Sequence, residues 1–440
     1  MTNLLVTNTQ EEQAYLLLRC LVSDVDRIIV TICGDSVLKR WACEAAWSRH
    51  VSRRYRVPDC SGSWRSGIIQ PENTAEEELY IQRLEEICAA ESIDVIFPSY
   101  DAEVYVLSKN QQRLAALGIA TVVPDYESLI PMIDKSLTLQ AAREVGFPMP
   151  KTQVLANHAQ IKDVIDEIDP PWIVKPRCSA HGATIINAEG AGMAVATDRE
   201  ELEAAVRQLS KVQERPIVQE YVPYSLKRNF YMVVNREFEV ISMFSPQVLR
   251  TRKGKVNRPC AAVVSTLEIP YADEVRALVR EMRIWGVMTL QTLVDERDGK
   301  LKLLEVNARF GHNIWFTTEL GVNEPLMALR LAKGEDPGEV PVVPEGVIML
   351  DPMLDFQHLI SKAVGRSIAW IRKRLKGVES DNDRLEKEYF EQLLRDLRSE
   401  YFTRRKRITN PSNRGFLTDP GPPTVRSIKM FANALRSLLG

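Results

Sequence analysis

Short apolar runs alternate with helical patterns over the first 125 residues. Leu4–Thr7, Arg27–Cys33, Ile93–Phe97 and Ile119–Val123 read as buried strands. Between them, Glu11–Val22 places Tyr15, Leu18 and Val22 on one stripe, and Ser36–Arg49 and Glu72–Ser92 follow as helices. Asp101 is positioned to cap a further helix running to Leu117, which Gly118 would stop. Strands alternating with helices predict a parallel, doubly wound sheet covered on both faces. Such sheets bind ligands at the carboxyl ends of their strands, where Pro98-Ser99-Tyr100-Asp101 falls. No G-x-G-x-x-G occurs here, so a dinucleotide fingerprint is absent.

The texture changes at Asp134. Lys135–Val145 predicts a helix ended by Gly146, and Phe-Pro-Met-Pro after it cannot be helical. Strands are expected at Trp172–Lys175, Ile185–Asn187 and Ile217–Val222, with a helix at Arg199–Ser210. Phe230–Phe244 predicts two strands about an Asn235-Arg236 turn, and Ala272–Trp285 a helix. Val287–Asp295 and Lys300–Asn307 flank Asp298-Gly299, a strong hairpin signal, and a helix follows from Glu324 to Lys333. The last hundred residues differ again: a charged helical stretch over Asp381–Arg407, a Pro- and Gly-rich loop over Asn410–Pro423, and a helix over Val425–Leu439. The fold class expected is therefore α/β followed by α+β. Residues 1–125 are expected to form a doubly wound domain, 126–340 an α+β region with antiparallel hairpins, and 341–440 a mainly helical extension.

Composition adds exclusions. At roughly 100–200 residues per domain, 440 residues imply more than one domain. The formal charge of -2 argues against a strongly basic nucleic-acid binder. No apolar run reaches the length of about 18 residues that a spanning helix needs, and the first residues lack the features of a secretion signal. The 7 cysteines include no C-x-x-C pair, and the 5 histidines show no metal-ligand spacing. A reducing cytoplasm is the expected setting.

The most informative segment is Gly286–Gly311. Glu305, Asn307 and Arg309 alternate along one strand and share a face, while Leu304, Val306 and Ala308 are expected to face a core. Gln291 and Glu305 are each seven residues from Asp298, so a symmetric hairpin sets them opposite one another, with Cβ atoms roughly 4.5–5.5 Å apart. One hard cation could then touch Gln291, Glu305 and Asn307, a donor set that suits Mg²⁺ shared with phosphates. Arg309 could hold a phosphoryl group bidentately. A solvated polar strand face is the competing reading. Lys175 ends an apolar strand and Lys135 starts a helix, both placed to neutralise phosphates or else to lie on the surface. The strand Ile217–Val222 runs out at Pro223, where free backbone groups could accept an adenine. The loop 177–184 holds Ser179, His181 and the single Gly182; it is a phosphate cradle or a plain hairpin loop. Lys362 to Lys376 form a basic, acid-free stretch with apolar Ile368–Ile371, either packed on its own domain or touching an anionic membrane or acidic carrier protein.

Taken in order, Asp134-Lys135…Gly146-Phe-Pro-Met-Pro, Ile173-Val-Lys175-Pro, Val218-Gln-Glu220-Tyr-Val222 and Gln291…Glu305-Val-Asn307-Ala-Arg309-Phe-Gly311 resemble the ATP-grasp superfamily, most closely its carbamoyl-phosphate-synthase-like branch. The resemblance spans roughly residues 1–335 and implies a Rossmann-like domain followed by two lobes, 126–215 and 216–340. It implies that Lys135 and Lys175 bind ATP phosphates under a loop carrying Ser179, His181 and Gly182. Glu220, Tyr221 and Val222 would hold adenine, Gln291, Glu305 and Asn307 would bind Mg²⁺ or Mn²⁺, and Arg309 would hold the transferring group. Arg309 and Lys175 are then the catalytic pair. The implied activity is ADP-forming ligation of a small carboxylic acid to an amine or amino acid through an acyl phosphate. Phosphorylation of a carboxylate or enol, and nucleotide binding without catalysis, are the alternatives. No nucleic-acid partner is expected, and a homodimer is a secondary expectation. The chain departs from the family where Lys227 replaces the usual ribose-binding acid, for which Ser225 or Glu239 could substitute. It departs again at His312-Asn313-Ile314-Trp315, which replaces a Gly- or Ser-rich run and would be shaped for a particular substrate.

Overall fold

The computed structural model describes residues 2–350 apart from 10–11, 35–42, 63, 65–68, 179–192, 212, 253–257 and 312, together with 407–409, 419 and 422. The predicted strand Ile185–Asn187, the loop positions Ser179, His181 and Gly182, the basic stretch from Lys362 to Lys376 and the two C-terminal helices lie outside these residues.

The first five strands are β1 (Asn3–Val6), β2 (Arg27–Cys33), β3 (Val51–Val57), β4 (Val95–Phe97) and β5 (Ala120–Thr121). They form one sheet in the order β3-β2-β1-β4-β5, parallel throughout. Leu4, Leu5, Val6, Val95, Ile96 and Phe97 are fully buried, as strands covered on both faces require. The predicted helix Ser36–Arg49 does not continue to its end: Ala45–Trp47 is one 3₁₀ turn and β3 begins at Val51. Strand β3 escapes the apolar pattern because it is an edge. Only Val51 and Val57 are buried, and Ser52, Arg53, Arg54 and Arg56 face solvent. The helix expected over Asp101–Leu117 is broken into Asp101–Lys109 and Gln111–Ala116. Asn110 interrupts it by donating to the Val106 carbonyl at 2.8 Å. Asp101 does not cap this helix. Tyr100 occupies the cap position without a side-chain bond, and Asp101 is drawn elsewhere.

Four antiparallel strands follow: β6 (Thr152–Val154), β7 (Trp172–Lys175), β8 (Ala194–Ala196) and β9 (Ile217–Glu220), ordered β6-β9-β7-β8. Their core is Trp172, Val174, Leu202, Val206 and Val218. Next come β10 (Tyr224–Val234), β11 (Val240–Phe244), β12 (Gln247–Arg252), β13 (Arg258–Val264), β14 (Gly286–Asp295) and β15 (Leu301–Asn307). One sheet runs β11-β10-β14-β15. Another is completed by β16 (Ile348–Leu350) and β17 (Arg407–Thr409) in the order β12-β13-β16-β17. The stretch after residue 340, expected to be mainly helical, therefore contributes strands where it is described, Arg407 among them. No helix among the described residues is long and apolar enough to cross a membrane.

Apolar contacts join the parallel sheet to the β14–β15 hairpin. Phe97 at the end of β4 stacks on Phe310, with centroids 6.1 Å apart and planes 4° from parallel. Gln13 donates to the Phe310 carbonyl, and Trp285 Nε1 donates to Asp125 at 2.6 Å. The segment after β15 is thus held over the carboxyl end of the parallel sheet.

Candidate active site

The Asp298-Gly299 turn sets the register. Gly299 adopts φ +69°, which favours glycine, and Lys300 N bonds the Asp298 carboxylate at 2.9 Å. Gln291 lies opposite Glu305 and Thr289 opposite Asn307, as a symmetric hairpin requires. A bulge opens next to Gln291, so that Thr292 faces Leu303 rather than Leu304. Leu304 is consequently half-buried instead of a core residue, while Leu303, Val306 and Ala308 are buried. On the other side of β14, Asn229 of β10 faces Gln291 and Tyr231 faces Thr289. One row of side chains therefore runs Asn229–Gln291–Glu305 across three strands, and the next runs Tyr231–Thr289–Asn307.

Cations converge on Glu305. The Lys135 ammonium is 3.7 Å from its carboxylate. The helix Lys135–Glu144 begins there because Asp134 caps it through Ser136 N at 2.9 Å. Lys135 N in turn bonds the Arg177 carbonyl at 2.9 Å, and Arg177 pairs with Asp134. The helix start is thereby pinned to the end of β7, where Lys175 is buried. Burial and the neighbouring Lys135 push the Lys175 ammonium down to about 7, against the pull of Glu305. Burial also depresses Lys227, again opposed by Glu305. For Glu305 itself burial favours the neutral acid, but Lys135, Lys175, the Asn307 amide and Arg309 outweigh it and hold the carboxyl below its usual range. Asn307 Nδ2 is 3.4 Å from Glu305 Oε1.

Arg309 Nε donates to Asp101 Oδ1 at 2.9 Å. Asn229 donates to the Tyr231 hydroxyl at 3.3 Å, and its own buried oxygen has no partner. Asn313 also donates to that hydroxyl, at 3.0 Å. Gly311 permits this packing, since a Cβ there would meet the Tyr231 ring at 2.1 Å. Gly311→Ala is expected to displace Tyr231 and cost about 1–3 kcal/mol of stability, read as a lowered denaturation midpoint. An unchanged midpoint would contradict the packing.

Other expectations fare differently. Of the segment His312–Trp315, His312 lies outside the described residues, and Asn313, Ile314 and Trp315 are buried. Strand β9 ends at Glu220 rather than Val222. The N–H groups of Glu220 and Tyr221 are taken by the Lys151 and Pro171 carbonyls, and the Glu220 carboxylate holds Lys151 N at 3.0 Å and Arg297 at 3.1 Å. Tyr221 is exposed and Val222 buried. Glu239 lies in the turn after β10, at the opposite end of that strand from Lys227, so it is no substitute for the ribose-binding acid. Sequence reasoning missed Asn229, the convergence of Lys227 on Glu305 and the Asp101–Arg309 pair. The β10–β14 register brings the first two in, and the hairpin pattern held no signal for it.

A family model described as the ATP-grasp domain matches residues 140–321. This stretch is an ATP-grasp domain. Among curated proteins, the carbamoyl phosphate synthase large chain of Archaeoglobus fulgidus is 22% identical over 302 residues, covering 64% of this chain and 27% of that one. The D-aspartate ligase of Enterococcus faecium is 22% identical over 233 residues, covering 51% of this chain and 55% of that one. The chain thus spans about a quarter and about half of these relatives. Among solved structures, biotin carboxylase from Campylobacter jejuni, in complex with β,γ-ATP, superposes with a TM-score of 0.59 at 16% identity, covering 79% of this chain and 74% of that one. N5-carboxyaminoimidazole synthetase from Staphylococcus aureus, complexed with ADP, gives 0.54 at 10% identity, covering 77% and 79%. At these identities the structural likeness is one of fold.

Proposed function

We propose that the protein is an ATP-dependent, ADP-forming carboxylate–amine ligase, organised as residues 1–125, 126–340 and 341–440. The observation that carries this is the charge balance around Glu305. Lys135, Lys175, Lys227 and Arg309 face one Glu305 carboxylate, with Asp101 on Arg309. A site with that excess of positive charge repels a bare divalent ion and suits a polyanion that brings its own ion. The donors fit such an ion: one carboxylate, the Gln291 and Asn307 amides, and beside them an orphaned buried amide oxygen on Asn229.

Gln291, Glu305 and Asn307 would hold Mg²⁺ or Mn²⁺, whose contribution when bound is to offset charge on the phosphates. Lys135 and Lys175 neutralise the remaining phosphate oxygens, and Ser179, His181 and Gly182 are assigned to covering them. Val222, with Glu220 and Tyr221 before it, receives the adenine, and Arg309 steadies the group in transfer. A carboxylate resists attack by an amine, whereas an acyl phosphate has a good leaving group. The residues present neutralise charge and align reactants, which is most of what phosphoryl transfer needs. The likeness to a D-aspartate ligase and to the carbamoyl phosphate synthase large chain supports this reading. It also makes amino acids the first substrates to try.

An ADP-release assay across carboxylic acids paired with amino acids, with mass spectrometry of the products, tests it. ADP together with a new amide is the expected outcome. A stable phosphate ester, or no ADP from any pair, would contradict it.

A further inference from the structure

The Asp101 carboxylate has no role in the reading above, yet it meets the site directly. It stands just past the carboxyl end of β4, on the first turn of the helix Asp101–Lys109. Its side chain leaves the helix end uncapped and reaches instead to Arg309, 208 residues away, where Oδ1 accepts from Nε at 2.9 Å. The other oxygen, Oδ2, has no partner among the described residues, and the side chain keeps 28% of its exposure. The ground beneath it is rigid. Glu103, two residues further along the same turn and buried, accepts from Thr7 Oγ1 at 2.6 Å and from the Tyr80 hydroxyl at 3.0 Å. Ser99 donates to the Thr7 and Asn8 carbonyls at 2.9 and 2.8 Å. A fixed carboxylate thus offers one oxygen beside the arginine assigned to the transferring group.

We propose that Asp101 receives the attacking amine. Resting on the ligase reading, this makes Asp101 a catalytic residue that selects for an ammonium-bearing second substrate. An α-amino group titrates near about 8, so at neutral pH much of it arrives protonated. Asp101 attracts that ammonium beside Arg309 and takes its proton. The nitrogen lone pair then forms the C–N bond to the acyl carbon as the C–O bond to phosphate breaks. Phosphate leaves with the bonding pair and takes the second proton from the newly acylated nitrogen, while the first stays on Asp101 until solvent removes it. Arg309 holds Asp101 in place and meets the departing phosphate.

Asp101→Asn separates this role from a merely structural one. The amide oxygen still accepts from Arg309 Nε, so the arginine stays placed, while charge and basicity are lost. The wild type and the variant are supplied with ATP, Mg²⁺ and a carboxylic acid from the standard L-amino acids and D-aspartate. Each receives either hydroxylamine or an amino acid as nucleophile. Hydroxylamine is unprotonated at neutral pH and needs no base. The variant is expected to keep hydroxamate formation within about threefold and to lose about 10²-fold in amide formation, with a raised KM for the amine. Asp101→Glu is expected to recover part of the amide rate. Parallel loss of hydroxamate and amide would overturn the assignment, because Asp101 would then only support Arg309. An unchanged amide rate would overturn it too. A wild type that yields neither product would sink the ligase reading itself, and this assignment with it.

Discussion

Glu305→Gln is expected to lower turnover by about 10³-fold or more, equivalent to ~4 kcal/mol of transition-state stabilisation. The apo melting temperature should stay within about 3 °C of the wild type. The side chain keeps its shape and its place opposite Gln291, so the β14–β15 pairing is preserved. What disappears is the one carboxylate among the donors assigned to the metal. Without it, Lys135, Lys175 and Lys227 lose their shared counter-charge, and Lys175, already pushed down to about 7, sheds its proton more readily. Deprotonation relieves the repulsion, which is why folding suffers less than activity. Steady-state kinetics and thermal denaturation on the same preparation check both halves. Turnover within tenfold of wild type would contradict the metal assignment.

Lys175→Met is expected to weaken ATP binding by about 10²-fold, or ~3 kcal/mol, while making the nucleotide-free protein more stable near pH 7. The two effects share a cause. Burial drives the ammonium down from its ordinary value, so folding disfavours the charged form that the phosphates need. In the unfolded chain the same lysine holds its proton up to about pH 10.5. Between about 7 and 10.5 the unfolded state therefore binds more protons than the folded one, and stability contributed by this group rises with pH. Below about 7 the penalty is full; above about 10.5 it is gone. Methionine fills similar volume without charge, so the variant should lose this slope between pH 7 and 10 and melt higher at pH 7. Equal ATP affinity by calorimetry, or an unchanged slope, would count against the role.

The parts that were legible in the sequence are those written locally. Runs such as Arg27–Cys33 announce strands buried on both faces, and the structure has that strand with the same limits. The Asp298-Gly299 turn fixes a register, and through it the facing of Gln291 and Glu305. What stayed hidden depends on partners far along the chain. Strand β3 has a solvent-facing polar run and joins its sheet only as an edge. The bulge next to Gln291 exposes Leu304, and no residue type there signals it. Asn229 enters the metal row through β10–β14 pairing across more than sixty positions, and Asp101 reaches Arg309 across 208. Asp101 even carried a plausible local role as a helix cap, which the ion pair displaced.

In the proposed complex, Gln291, Glu305 and Asn307 share one divalent ion with the terminal phosphates of a nucleotide. Anomalous diffraction from crystals grown with Mn²⁺ and a non-hydrolysable ATP analogue tests it most directly. The expected result is an anomalous peak within about 2.0–2.5 Å of oxygens from these side chains and from the phosphates. Bound nucleotide with its Mn²⁺ peak away from Glu305, or with its phosphates outside the reach of Lys135 and Lys175, would contradict the account.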